Sequence, residues 1–239
     1  MCGRYVLATP VAELAEYFSA QLPPGLWESF RPSWNIPPTT NIIALTADSS
    51  GSRDLGLFRW GLVPRWAKDL SFGAKTINAR VETVATKPSF RSAFHSQRCI
   101  IPADGYFEWK TTAGEVKQPY YFTSHDESPL AFAGLWERYE LHTRADEATR
   151  SISTCAIITT EAGKDVETIH NRMPAILDEP DTWGRWLDGA LNDREELLAM
   201  CRPAPPGTLK SRRVEILVNS VRNNGPELIE ELLDRPSLF

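Results

Sequence analysis

The second residue of the chain is a cysteine, in "MCGRYV". Removal of Met1 would leave Cys2 with a free α-amine and a thiol two carbons apart. Such an amine titrates near ~7.7–8.0 and a typical thiol near ~8.5, so both are partly reactive at neutral pH. With an aldehyde the amine gives a Schiff base, and the thiolate then closes on the imine carbon to form a thiazolidine ring. N-terminal nucleophiles that use their own amine are an established strategy. The alternative at this point is an incidental second residue.

Four further stretches carry chemistry-bearing side chains. In "ADGYFEWK", strand alternation puts Tyr106, Glu108 and Lys110 on one face and Phe107 and Trp109 on the other. A carboxylate among aromatics is either buried, with a raised pKa suited to proton transfer, or at a sheet edge in water. In "ETIHNRMPAIL", His170 lies between two strand-like runs, either as a general acid/base or as a surface histidine. In "TINARVET", Asn78 and Arg80 share a strand face. An amide beside a guanidinium suits a phosphate or sugar contact, or else a cross-strand ion pair. In "RWGLVPRWAKD", Trp60 and Trp66 stand among Arg59, Arg65 and Lys68. Trp60, in a strand, belongs to the core, whereas Trp66, after Pro64, suits stacking on an unpaired base beside a phosphate track. There is no phosphate-binding glycine loop, dinucleotide fingerprint, metal-ligand spacing or nucleophile elbow, so neither metal nor cofactor is expected.

The elements that would position these groups are mostly strands. Strand-like runs cover 41–47, 55–63, 76–83, 98–110, 118–124, 129–137, 151–160 and 213–220. Helical spacing appears over 10–20, 87–97, 179–189, 193–201 and 226–233. "RPSWNIPPTT" reads as an ordered proline-rich loop, and "TTAGEVK" as a hairpin loop. The pattern does not alternate as βαβ units do. It predicts an α+β fold, one domain over 1–239, on a curved, mostly antiparallel, barrel-like sheet with peripheral helices.

With 239 residues, 42% of them hydrophobic, the chain can bury a sizeable core. No apolar run approaches a membrane span, and the first 25 residues lack a basic-then-apolar leader. A cytoplasmic, nucleoid-associated location and a monomeric state are expected. The cysteines at 2, 99, 155 and 201 have no metal spacing, and Cys99 and Cys155 read as small buried hydrophobes in strands. Net charge is −5, yet residues 53–100 alone carry nine Lys/Arg against three acids. That segment is either a local phosphate-neutralising track or a solvated basic face.

Taken in order, "MCGR", "WNIPPTT", "RWGLVPRWA", "INARVET", "RCIIPADGYFEWK", "HNRMP" and "VNSVRN" resemble the SOS-response-associated peptidase (SRAP) family, from Cys2 to about Glu227. The resemblance implies a sensor of abasic sites in single-stranded DNA that crosslinks the ring-opened deoxyribose to Cys2 as a thiazolidine, with associated autopeptidase and lyase activities. It implies Cys2 as nucleophile, Glu108 orienting the amine and moving its proton, His170 protonating the sugar ring oxygen, and Asn78 positioning Cys2 or the lesion. Arg4, Arg80 and Arg172 would hold phosphates. Trp66 and the Pro37–Pro38 loop would wedge against flanking bases, with Asn35 and Trp109 also on the DNA side. Ala67 stands where some members carry a second aromatic, which implies a smaller wedge. Two alternatives remain open here: a cysteine peptidase acting on N-termini, and a non-covalent reader of modified bases.

Overall fold

The computed structural model describes residues 2–111, 117–141 and 150–233. Five strands close on one another: β3 (Asn41–Ala47), β4 (Arg53–Trp60), β6 (Arg98–Ala103), β9 (Leu130–Leu141) and β10 (Arg150–Glu161). Around the ring β3 pairs antiparallel with β4, β4 runs parallel to β10, and β10 pairs antiparallel with β9. Then β9 pairs with β6, and β6 returns to β3 through Leu45 and Ile100. Closure removes the exposed edges that an open sheet of these apolar strands would present. Two short strands extend β10: β5 (Asn78–Arg80), parallel to it, and β11 (Arg172–Pro174), antiparallel. The sheet is therefore barrel-like and mostly antiparallel, with two parallel pairings at β10.

A second, antiparallel sheet runs β12 (Leu209–Arg213), β8 (Lys117–Ser124), β7 (Gly105–Thr111), β1 (Tyr5–Leu7), β2 (Ser33–Ile36). One apolar core joins the two sheets, with Tyr5 and Tyr106 from the second sheet packed against Trp60 and Phe132 of the barrel and Phe122 stacked on Tyr106. Trp60 is core, and Cys99 and Cys155 are buried in the barrel strands, as their sequence contexts predict. All four cysteines are unbridged. Among the described residues no helix is long and apolar enough to cross a membrane.

The structure breaks the expected 98–110 strand at Asp104, where the chain leaves the barrel for the second sheet. The Asp104 carboxylate accepts from Ala8 N (2.6 Å), Thr9 N (3.0 Å) and Thr9 Oγ1 (2.7 Å), and its carbonyl accepts from Tyr121 and Thr123 hydroxyls. Glycine is required next, because a Cβ on Gly105 would lie 2.3 Å from the Phe122 carbonyl oxygen. Three other expectations change. The 76–83 strand stops at Arg80, and a short helix, Val81–Val84, follows. The 213–220 strand is instead a 3₁₀ turn, Ile216–Asn219, after β12; Val214 and Val218, four apart, are its buried anchors. The 226–233 helix shrinks to a 3₁₀ turn, Pro226–Ile229, burying Leu228. The proline-rich stretch contributes the edge strand β2, where Pro37 and Pro38 fall just beyond the ladder. The centre of the "TTAGEVK" loop, 112–116, lies outside the described residues.

Candidate active site and nucleic-acid face

The N-terminal residues run along β7. Tyr5 pairs with Tyr106, and Phe107 N donates to Arg4 O at 3.0 Å. One more step along this register sets residue 3 opposite Glu108. Asn78, on β5, donates from Nδ2 to Cys2 O at 2.7 Å. The loop before β11 brings His170 over the same point, its Nε2 3.6 Å from Glu108 Oε2. Four sequence candidates, from four distant segments, thus meet: Cys2, Asn78, Glu108 and His170.

Two of the four are sealed from water, and Asn78 and His170 are half-buried. Cys2 is 0% exposed and Glu108 3%. Burial pushes the Cys2 thiol well above its ordinary range, and the Glu108 carboxylate pushes it the same way. Burial also raises the Glu108 carboxyl, with the neighbouring His170 opposing. Because β7 is a central strand, the carboxylate is buried rather than edge-exposed. His170 Nδ1 lies 3.0 Å from both the N–H and the carbonyl of Arg172. Neutral imidazole accepts from that N–H and turns its own proton on Nε2 toward Glu108. Imidazolium donates from Nδ1 to the carbonyl. Both charge states are accommodated, as a group that passes protons requires. The corner opens into a cleft of about 510 Å³ lined by Glu108, Trp109, Thr111, Lys117, His170 and Asn219.

The remaining candidates divide by exposure. Trp66 is 59% exposed and meets the Phe72 ring edge-to-face, with the ring centroids 5.1 Å apart. Phe72 gives it the aromatic neighbour that Ala67 does not; Ala67 is itself buried, its carbonyl accepting from Tyr139. Gly61 allows the preceding turn, with φ +132° and a would-be Cβ only 2.5 Å from Gly73 O. Arg80 is exposed at the end of β5, and Pro38 is half-buried. Trp109 is half-buried and donates from Nε1 to Asn219 Oδ1 at 2.7 Å.

Three candidates are engaged within the protein. Asn35 is 2% exposed, and its Nδ2 donates to the carbonyls of Val218, Ser220 and Asn223. Arg4 donates from Nη1 to Asn35 Oδ1 (2.6 Å) and Val218 O (2.8 Å). Arg172 is clamped on the Glu82 carboxylate and donates to Thr159 O at 2.6 Å. Within the basic segment, Arg98 is buried and spends its guanidinium on carbonyls of Phe94, His95, Trp186, Asp188 and Leu191. The charge available to a ligand is thus smaller than the composition of 53–100 suggests. Sequence reasoning missed Lys117 and Asn219 at the cleft. Only the "VNSVRN" motif carried a signal for the second.

A family profile described as SOS response associated peptidase (SRAP) matches residues 1–221. The chain is 40% identical over 232 residues to the abasic site processing protein YoqW of Bacillus subtilis, covering 96% of this chain and 99% of that protein. It is 33% identical over 267 residues to the abasic site processing protein HMCES of Gallus gallus, covering 96% and 77%. A solved structure of a protein from Bacteroides thetaiotaomicron superposes with a TM-score of 0.84 at 25% identity, covering 97% of this chain and 100% of that one. This chain belongs to the SRAP family.

Proposed function

We propose that the protein recognises abasic sites in single-stranded DNA and traps them covalently through Cys2 once Met1 has been removed. The observation that carries this reading is the meeting of Cys2, Glu108, His170 and Asn78 in a buried corner beside an open cleft. The relatives' name, abasic site processing protein, supports the substrate.

The chemistry follows from the groups present. His170 gives a proton to the ring oxygen of the sugar hemiacetal, the C1′ hydroxyl gives up its own proton to water, and the C1′–ring oxygen bond breaks to leave the aldehyde. Glu108 takes a proton from the α-ammonium of Cys2, and the freed amine attacks C1′. The carbinolamine takes that proton back from Glu108 and loses water, leaving an iminium that returns the proton to Glu108 as it becomes the imine. Burial, which raises both Glu108 and the thiol, keeps a proton on each at this stage. The thiol proton then passes to the imine nitrogen while sulfur bonds to C1′, closing the ring. The balance is one water lost per crosslink. Asn78, by holding Cys2 O, fixes the direction in which the amine projects.

Two lesser activities belong to the same site. Before sulfur closes the ring, the imine makes the C2′ proton acidic; its removal expels the 3′-phosphate and cuts the strand. Ring closure ends that risk. Release of Met1 is the autoprocessing step implied by the family's description as a peptidase.

Intact mass measured before and after mixing with abasic single-stranded DNA tests the reading. The expected gain is the oligonucleotide less one water, on a chain lacking Met1. Cys2→Ala gives no stable adduct. Expression in cells without methionine aminopeptidase separates self-removal of Met1 from trimming by the host. A wild-type chain that keeps Met1, or that gains no mass, overturns the proposal.

A further inference from the structure

The cleft beside the reactive corner is lined by groups of the kinds that hold a sugar phosphate. Thr111 offers a hydroxyl, Asn219 an amide, Lys117 a cation, and Glu108 and His170 an acid–base pair. In the β7–β8 register Thr111 stands directly opposite Lys117. Lys117 is exposed and Glu108 is buried, so the cation marks the outer end of the cleft. Glu108 and His170, 3.6 Å apart, mark the inner end. At about 510 Å³ the space falls among pockets that take whole small molecules, about 300–1,000 Å³.

The chemistry at the inner end asks only for an aldehyde masked as a five-membered hemiacetal. A free 2-deoxypentose 5-phosphate carries that same centre. With O5 esterified, only O4 can close on C1, so the sugar in solution is the five-membered ring in equilibrium with its open aldehyde. Its phosphate hangs from C5, at the far end of the molecule from C1. Lys117 likewise lies at the far end of the cleft from Glu108 and His170, and an ammonium on a flexible stem suits a phosphate that arrives without a strand to fix it.

We propose that the cleft also captures free 2-deoxyaldose 5-phosphates, holding the phosphate at Lys117 and closing a thiazolidine between C1 and Cys2, so that these small molecules compete with DNA for the nucleophile. The inference rests on the proposed function and widens its substrate class from a strand to a soluble sugar phosphate. The steps balance as they do on DNA. His170 protonates O4, the C1 hydroxyl gives its proton to water, and the C1–O4 bond breaks. The Cys2 amine attacks C1, one water leaves, and sulfur closes on C1 while the thiol proton passes to nitrogen. One C–N and one C–S bond form, the C4 hydroxyl stays on the sugar, and nothing is oxidised or reduced.

Intact mass of the Met1-free protein incubated with 2-deoxyribose 5-phosphate reads the adduct, expected at the mass of the sugar phosphate less one water. The reference is the peptide CGRYV, residues 2–6, which has the aminothiol without the cleft. The protein is expected to react at least about 10²-fold faster, the lower bound for a positioned acid and base. Glu108→Gln should bring the rate down toward that of the peptide. Phosphate recognition is read as the preference for 2-deoxyribose 5-phosphate over 2-deoxyribose in half-saturating concentration. Lys117→Ala is expected to cut that preference by about tenfold or more, the effect of losing one charged hydrogen bond. Lys117→Arg should restore most of it, which a loss of packing alone would not allow. Because the preference is compared between proteins, the different ring habits of the two sugars cancel. Preloading with the sugar phosphate should slow crosslinking to abasic single-stranded DNA in proportion to the Cys2 occupied. Protein that reacts no faster than the peptide, or a preference that Lys117→Ala leaves intact, overturns the inference, and an abasic-DNA adduct on the same protein leaves the proposed function standing. Absence of any adduct with abasic DNA overturns the proposed function instead, and the sugar-phosphate series still decides the cleft by itself.

Discussion

The Cys2–Glu108 corner and the Trp66 loop are built on opposite plans. The corner is made from strands β1, β5 and β7 and the loop before β11, and its nucleophile and carboxyl are buried. The Trp66 loop lies outside the barrel, and its ring and the Arg65 and Lys68 side chains face water. It is nonetheless anchored, with Arg65 Nε on Glu137 Oε1 at 3.0 Å, Val63 N on Thr154 Oγ1 at 3.0 Å and Tyr139 on Ala67 O. A dry corner strengthens every charge interaction and suits bond making. A fixed, solvent-facing ring suits capture, since a base loses its water on stacking there and little ordering is required of the protein. Under the proposed function, the difference predicts that rate and affinity are separable in this molecule.

The separation can be broken most severely at Cys2. Cys2→Ser keeps the α-amine and loses sulfur, so the imine persists. The expected result is loss of the stable adduct together with more strand cleavage than native protein gives, read on a denaturing gel. Next in size is Glu108→Gln, which removes the proton carrier and is expected to slow adduct formation by about 10²–10⁴-fold. The same change should stabilise the fold. The Glu108 carboxyl has a raised pKa, so native stability is fully present below the ordinary glutamate range and declines as pH rises through the folded value. Glu108→Gln therefore melts higher than native protein at neutral pH, and the gap vanishes in acid. Thermal melts of both proteins across pH check the sign. Trp66→Ala, by contrast, is expected to weaken non-covalent binding by about five- to a hundredfold while leaving the saturated rate and the melting temperature near native.

How much of this was legible in the sequence follows the same divide. Cys99, Cys155 and Trp60 sit in runs whose composition alone predicts burial, and the barrel buries them. The chemistry-bearing residues were each visible, but their meeting was not, because Asn78 reaches Cys2 across 76 positions of chain. Asn35 shows the limit most clearly. The resemblance implies a place for it on the DNA side, whereas its partners are carbonyls 183 to 188 residues away. No local pattern announces such partners. The break at Asp104 was hidden for a related reason: the residues flanking it are apolar on both sides, and only the three donors from Ala8 and Thr9 explain the turn. The 213–220 segment misled because Val, Ile and Leu suit strands, while the burial of Val214 and Val218 obeys a helical spacing.

The smallest expected effect separates two arginines that the sequence treats alike. Arg80 and Arg172 lie near one end of β10, paired at Thr159 and Glu161. Arg80 is exposed, whereas the Arg172 guanidinium is clamped by Glu82, whose carboxyl it holds below the usual range. A guanidinium already neutralised releases no counterion from DNA. Removing Arg80 should therefore lower the slope of log affinity against log salt by about 0.7, the share of one phosphate contact on a single strand. Arg172→Ala should leave the slope unchanged and cost stability instead, since it removes a donor from the carbonyl of buried Thr159. Glu82→Gln is the sharper variant: it keeps the side-chain shape, releases the Arg172 charge, and should steepen the slope by a similar amount. Equal slopes for Arg80→Ala and Arg172→Ala would mean that DNA binding opens the Glu82 clamp, and the boundary between structural and DNA-facing charge would move inward to β11.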